Sequence, residues 1–545
     1  MIVNLLESAG RILHNTVVGQ VEKRAKKRRA AKSASPPEKL GKAVVIGSTI
    51  PSARKPGVSE PVEIYFKTRL RHCFITGQVG SGKTTLARTL MLDDLVRGNG
   101  IVNIDYRGES TDLLLQYLAE RYTPEELKER LVLLDLRQRS TYGVKGEPVV
   151  VFNPLLEIGN DGYAATAFFL DVLRQVWGDG VLGVQLIDDL RHILLALTLS
   201  SAGSFTILDI ERMLTEPEFR AMVLSGIDDP IVLRFFERFD KVKDPDGRVL
   251  PVTNKLSPLI ATHRRLRATL GGTEKIYSFR EHFERVKNPI VLVCLAADET
   301  AKSVAGVVGA LFLSAAIKAV MRSDHAVGEE PTSGIHFLLD EAANYATAIE
   351  EPLGELIREG RKFGAFCTLI TQTPSSLSSS LRSLMIDVVG TMCFFSQGPQ
   401  QAENLAGWIS SDDFPKVVVR TLLMQAKPGE ALLLRQGHSP CRMQTFNTPY
   451  PTVTAEKVKA LRRAALAHWG SASEGEAAKT VIEEAPEAET EAPYATDTDN
   501  ATGVKASKAA QVKTTNREII AGPPESVEVR EAPEPTKPAR RRKKA

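Results

Sequence analysis

Gly77-Gln78-Val79-Gly80-Ser81-Gly82-Lys83-Thr84 meets the pattern G-x-x-x-x-G-K-[ST] at every fixed position. Glycines in such a loop let the backbone curl until its N–H groups point inward at phosphate oxygens. Lys83 would reach the β- and γ-phosphates of ATP, and the Thr84 hydroxyl would ligate Mg²⁺. With Thr85 included, the nucleotide-binding segment runs from 77 to 85. The alternative is a glycine-rich turn that binds nothing. Composition alone gives such a pattern in roughly two of a hundred chains of this length, so the flanks decide. His72-Cys73-Phe74-Ile75-Thr76 reads as an apolar strand, and Thr85 to Leu92 as a helix with apolar spacing of three and four. A helix start adds partial positive charge where phosphates would sit.

A second stretch carries chemistry. Ile335-His336-Phe337-Leu338-Leu339-Asp340-Glu341 is an apolar strand that ends in two acids. A strand emerging beside the P-loop would put Asp340 near the Mg²⁺, through its water shell. Glu341 would orient and deprotonate the attacking water. Many strands end this way, so the pattern gains meaning only with the glycine loop upstream. Farther on, Gln372 follows the strand Ala365 to Ile370, where it would sense the γ-phosphate or water, or merely cap a turn. Arg358 and Arg361, taken alone, read as solvated cations at a helix end.

The elements that must position these groups alternate. Strand-like runs at 43–46, 62–66, 72–76, 101–105, 131–136 and 149–152 are interleaved with helical periods, which predicts a parallel sheet covered by helices. From about 160 to 285 the period is almost wholly helical. The sheet pattern returns at Pro289–Leu295 and continues to Phe446. The predicted fold is therefore α/β: a P-loop domain in two parts (41–157 and 287–452), an all-helical insertion (158–286), a basic amphipathic N-terminal helix with linker (1–40), and a helix end with a disordered charged tail (453–545). Val304 to Ile317 is the nearest approach to a membrane span, and its interruption by Ser314, with Lys318 following, predicts a buried helix.

The 545 residues are 43% hydrophobic and 25% charged, with a net charge of only +4, so most of the chain can build ordinary cores. The five scattered cysteines show no C-x-x-C, which predicts buried reduced thiols and no structural zinc. The start of the chain lacks the pattern of a secretory signal. For residues 1–33, with the run Lys23-Arg24-Ala25-Lys26-Lys27-Arg28-Arg29, three readings stay open: peripheral contact with a membrane surface, a docking helix, or a DNA-binding arm. The expected location is cytoplasmic, either free or peripheral at the inner face of the membrane.

Taken together, Arg71-His72…Gly77…Gly82-Lys83-Thr84, Asp105-x2-Gly108-Glu109, Phe152-Asn153-Pro154-Leu155, Asp340-Glu341-Ala342 and Gly360-Arg361-Lys362-Phe363-Gly364…Thr371-Gln372 resemble the HerA/FtsK superfamily, nearest to TraG/TraD-type coupling ATPases of conjugation and type IV secretion. The resemblance covers roughly 40–450. It implies a RecA-like fold, a homo-hexameric ring, ATP held between subunits, DNA moved through a central channel, and relaxase or secretion-channel proteins as partners. It also implies an arginine finger at Arg361, with Arg358 as second choice. Tyr106-Arg107 departs from the family's Pro-Lys, and the transmembrane helices common at the start of coupling proteins have no counterpart in the sequence. The alternatives are a secretion ATPase acting on protein substrates, a soluble HerA-type translocase, and a nucleotide-switched scaffold without turnover.

Overall fold

The computed structural model describes residues 43–50, 59–157, 161–242, 246–261, 263–322, 333–345, 350–410 and 414–473. The expected helix at 1–33, its linker, most of the polar loop at 323–333 and the charged tail past 473 lie outside them. Strands β1 (Ala43–Thr49), β2 (Pro61–Tyr65), β3 (Cys73–Thr76), β4 (Gly100–Asp105) and β5 (Leu131–Asp135) come first. The short β6 (Pro148–Val149), β7 (Val151–Phe152) and β8 (Ile276–Tyr277) follow, then β9 (Ile290–Cys294), β10 (Ile335–Leu339), β11 (Ala365–Thr371), β12 (Thr391–Phe394), β13 (Glu430–Arg435), β14 (Cys441–Thr445) and β15 (Ser471–Ser473).

Eleven strands make one sheet in the order β2-β1-β14-β13-β12-β3-β11-β10-β4-β9-β5. From β5 across to β12 all neighbours are parallel. From β12 through β13, β14 and β1 to β2 they are antiparallel. The sequence explains the division. β5, β9 and β10 are apolar runs buried at every residue, as strands covered on both faces must be. In β14, exposed Arg442 and Gln444 alternate with buried Met443 and Thr445, the pattern of a strand with one wet face.

One expectation needs correction. The run at 149–152 is not a strand of the main sheet. It splits into β6, which pairs with β15, and β7, which pairs with β8. A short apolar run carries no record of its partner, so its sequence could not show this. In the main sheet β11 lies between β10 and β3.

Between β7 and β8 the described residues hold helices and no strand, and their apolar faces join the same core as the sheet. Phe152 of β7 meets Phe312 with ring centroids 5.1 Å apart, and Phe279 at 5.6 Å. Phe312 belongs to the helix Lys302–Arg322. That helix has the length and composition to cross a membrane, yet 89% of its apolar window is buried inside the fold.

Two polar networks fix the layers. At the rear of the P-loop helix (Lys83–Arg97), Arg69 pairs with Asp93 at 2.6 Å and with Asp94 at 2.8 Å. Asp94 also meets His336 Nδ1 of β10 at 2.6 Å, and His336 Nε2 lies 2.8 Å from the Thr368 hydroxyl of β11. Burial pushes the His336 imidazole below its usual range. The geometry then suits a neutral ring, with Nδ1–H donating to Asp94 and Nε2 accepting from Thr368. Near the end of β5, Asp135 pairs with Arg137 (2.9 Å) and Arg462 (2.8 Å), while Glu147 pairs with Arg265 (3.3 Å) and with Arg462. Arg462 lies on the helix Ala455–Trp469 and is 1% exposed. Removing one partner of a buried ion network strands the opposite charge. Arg462→Ala should therefore lower stability by about 3–5 kcal/mol, seen as a fall in the urea midpoint.

His72 precedes β3 with φ 67°, in the left-handed region that a side chain there makes costly by about 1–2 kcal/mol. Two bonds hold it: Nε2–H donates to Ile357 O and Nδ1 accepts from Cys367 N–H, both at 3.0 Å. Burial pushes its pKa from an ordinary 6.5 down to about 4. Between those values the unfolded chain takes up a proton that the fold refuses, so stability from this residue is present above 6.5 and falls as pH drops toward 4. The slope is about 1.4 kcal/mol per pH unit. His72→Asn keeps a residue tolerant of positive φ. It should flatten the acid limb of a thermal-midpoint against pH profile relative to the parent chain. Identical slopes for the two chains would contradict this origin.

Candidate nucleotide-hydrolysis site

The C-terminal ends of the parallel strands share one edge, because the pairing register aligns Thr76 with Thr371 and Leu339 with both Leu369 and Ile104. The glycine loop leaves β3 at this edge. Gly80 and Gly82 have φ of 73° and 119°, values that suit glycine. A Cβ on Gly77 would lie 2.5 Å from Phe395 Cβ and from Ser81 Oγ. Gly429 N–H donates to Ser81 O at 2.7 Å, so the loop is also pinned by the turn before β13.

The P-loop helix begins at Lys83 with Gly82 as an N-cap that offers no side chain, and no acid lies in its first turn. Its leading N–H groups therefore lack an intrahelical carbonyl, and a lysine stands where the helix dipole favours negative charge. Ser81 Oγ is buried without a hydrogen-bond partner. Lys83 Nζ donates to Gly77 O at 2.7 Å and Gln78 O at 2.9 Å, and burial lowers its pKa against the opposing pull of Glu341 and Asp340. Each feature suits an anion. Thr84 is exposed at the mouth of the loop, and Thr85 is partly buried behind it.

The acids stand close by. Burial pushes Asp340 up to about 7, reinforced by the charges of Asp105 and Glu341 and opposed by Lys83. Asp105 spends its carboxylate on the next turn: Oδ1 accepts from Arg107 N (3.0 Å) and Gly108 N (2.7 Å), and Oδ2 from Thr111 N (2.8 Å). It therefore caps the helix Glu109–Arg121 and still adds negative potential. Glu341 has φ 49°, uncommon for a non-glycine residue, and its Oε1 accepts from Gln372 Nε2 at 2.5 Å. The turn after β11 is closed instead by Thr371 Oγ1, which accepts from Thr373 N at 3.2 Å. Gln372 is thus turned to the acid and not to its own turn.

These residues fit a nucleotide with its Mg²⁺. The loop and helix start want an anion, and the crowded carboxylates want a cation. Among the described residues no three His, Cys, Asp or Glu side chains form a metal cage. Mg²⁺ needs none, since it keeps waters and takes phosphate oxygens beside one or two protein ligands. Thr84 and Asp340 are the groups at hand.

Lys83, Asp340, Glu341 and Gln372 are brought together; Arg358 and Arg361 are not. Both arginines are exposed near the start of β11, at the opposite edge of the sheet. The seven residues of β11, roughly 20 Å of strand, lie between. Sequence reasoning missed Gly429 and Phe395 as loop supports. Only the exception of a glycine directly before a strand could have hinted at Gly429.

Residues 251–416 match the family described as the Type IV secretion-system coupling protein DNA-binding domain. Comparison with curated proteins gives no match. Among solved structures, the unbound bacterial conjugative coupling protein TrwBΔN70 aligns at TM-score 0.51 and 13% identity, over 78% of this chain and 99% of that one. The plasmid coupling protein TrwB in complex with the GTP analogue GDPNP gives 0.52 and 14%, over 78% and 98%. TrwB in complex with ADP and Mg²⁺ gives 0.51 and 12%, over 76% and 98%. Identities this low establish the fold, and the matched segment contains Asp340, Glu341, Arg361 and Gln372. The fold is therefore that of the TrwB structures, and residues 251–416 carry the pattern of the coupling-protein DNA-binding family.

Proposed function

We propose that this chain is an ATP-driven DNA translocase of the conjugative coupling type, working as a ring in which ATP is held by one subunit and reached by an arginine of the next. The observation that carries the proposal is the division of the site. The phosphate loop, acid pair and glutamine share one edge of the sheet, and the exposed arginines stand at the other.

In this reading Lys83 and the loop N–H groups grip the phosphates, and Thr84 and Asp340 face the metal. Mg²⁺, when bound, would neutralise phosphate charge that develops during transfer. Glu341, oriented by Gln372, accepts a proton from the water that attacks the γ-phosphorus as the bond to the bridging oxygen breaks. Arg361 of a neighbour offsets the charge that develops, and such arginines contribute about 10³–10⁵ in rate. The exposed Lys362–Glu359 pair is too weak to matter to this geometry. TrwB is described as a conjugative coupling protein and has been seen with nucleotides and Mg²⁺. Together with the DNA-binding description of the matched family, this supports DNA as cargo and ATP with Mg²⁺ as the fuel.

The deciding measurement is ATP hydrolysis with and without DNA at low salt, where contacts to backbone phosphates are strongest. Strong stimulation supports the motor. Turnover indifferent to DNA would favour a secretion ATPase with protein substrates, and binding without turnover would overturn hydrolysis altogether. Lys83→Ala should abolish turnover. Glu341→Gln should keep ATP binding and lose at least a hundredfold in rate. If the arginine acts between subunits, mixing inactive Arg361→Ala and Glu341→Gln chains should restore part of the activity, and verified mixed rings that stay dead would reject it.

A further inference from the structure

One buried cation has no acid. Arg88 sits one turn past Thr85 on the P-loop helix and is 3% exposed. Its Nε and Nη1 have no hydrogen-bond partner, and among the described residues no carboxylate pairs with it. Its Nη2 reaches only the Thr85 hydroxyl (3.4 Å) and Asn447 Oδ1 (3.5 Å), both at the weak limit. A guanidinium withdrawn from water without a carboxylate is costly unless something else compensates. Here the compensation is an aromatic face: the Tyr450 ring lies 3.9 Å from Arg88 Cζ.

Tyr450 is itself odd. It is 68% exposed, although the segment that carries it is firmly tied. Thr448 Oγ1 lies 2.5 Å from Thr89 Oγ1, and Pro449 O accepts from the Tyr117 hydroxyl at 2.7 Å. A fixed backbone thus holds a large ring with one face against a cation and the rest open to solvent. The position is telling. The acids that mark the γ-phosphate end lie at the tips of β10 and β11. Thr85, Arg88 and Thr89 share one face of the helix, and the segment that follows β14 covers it. A nucleotide whose terminal phosphate faced Glu341 would have its other end free to run along the helix face of Thr85 and Arg88, where this ring lies.

We propose that Tyr450, backed by Arg88, is the platform on which the purine base of the bound nucleoside triphosphate stacks. The inference rests on the nucleotide-binding reading of the P-loop. The cation behind the ring holds it in place and draws electron density from it, leaving an outer face suited to an electron-rich purine. Stacking of a base on an aromatic ring tolerates any base, so the platform recognises a nucleoside without choosing adenine over guanine.

The test compares two ligands on the full chain with Mg²⁺: ATP, and inorganic tripolyphosphate, which has phosphates but no base. Tyr450→Ala should weaken ATP binding about tenfold and leave tripolyphosphate binding unchanged, while Tyr450→Phe retains both. Arg88→Gln should reproduce part of the ATP loss. Tyr450→Ala with unaltered ATP affinity, or with equal losses for both ligands, would overturn the platform. If the parent chain bound neither ligand, the P-loop reading itself would fail, a result distinct from failure of the platform.

Discussion

An excess of negative charge at one edge of a parallel sheet governs this molecule. Asp105, Asp340 and Glu341 converge there against the Lys83 ammonium, and burial, reinforced by the neighbouring acids, holds Asp340 up to about 7. Left alone, such a cluster repels itself in a half-buried setting. The fold tolerates it because every strand that brings an acid to the edge is buried over its length. The apolar core sets where the acids go, and the acids then create the demand for a cation that a metal-bound nucleotide satisfies.

The rest of the architecture can be read as support for that edge. Asp105 gives its oxygens to three backbone N–H groups and so fixes the start of one helix. Gln372 crosses from β11 to hold Glu341, which keeps an uncommon backbone geometry. Gly429 and Phe395 press on the glycine loop from the antiparallel side. Farther back, the Arg137, Arg265 and Arg462 cations balance Asp112, Asp135 and Glu147, so that the C-terminal helix, the insertion and β5 meet without a stranded charge.

Much of this was legible in the residues. The glycine loop has a fixed pattern, and the apolar runs that end in acids mark strands buried on both faces. The long helix at 302–322 announced its burial through Ser314 and Lys318. What stayed hidden depends on pairing. Nothing local in Val149 to Phe152 says that it leaves the main sheet, and nothing in Ile335 to Leu339 says that β11 separates it from β3. Nothing local marks Arg462 as buried, because a buried arginine is recognised only by partners hundreds of positions away. Tyr450 fails the same test from the other side: its exposure means something only beside Arg88.

The join between Asp94 and His336 has a mechanical consequence. It ties the P-loop helix to the acid-bearing strand at the end remote from the phosphates, leaving Lys83 about 16 Å away along the helix axis. With Gly429 holding the glycine loop and Thr448 holding Thr89, the helix is anchored toward both ends, so the reach from Lys83 to the acids is set by two tethers and not by the apolar core alone.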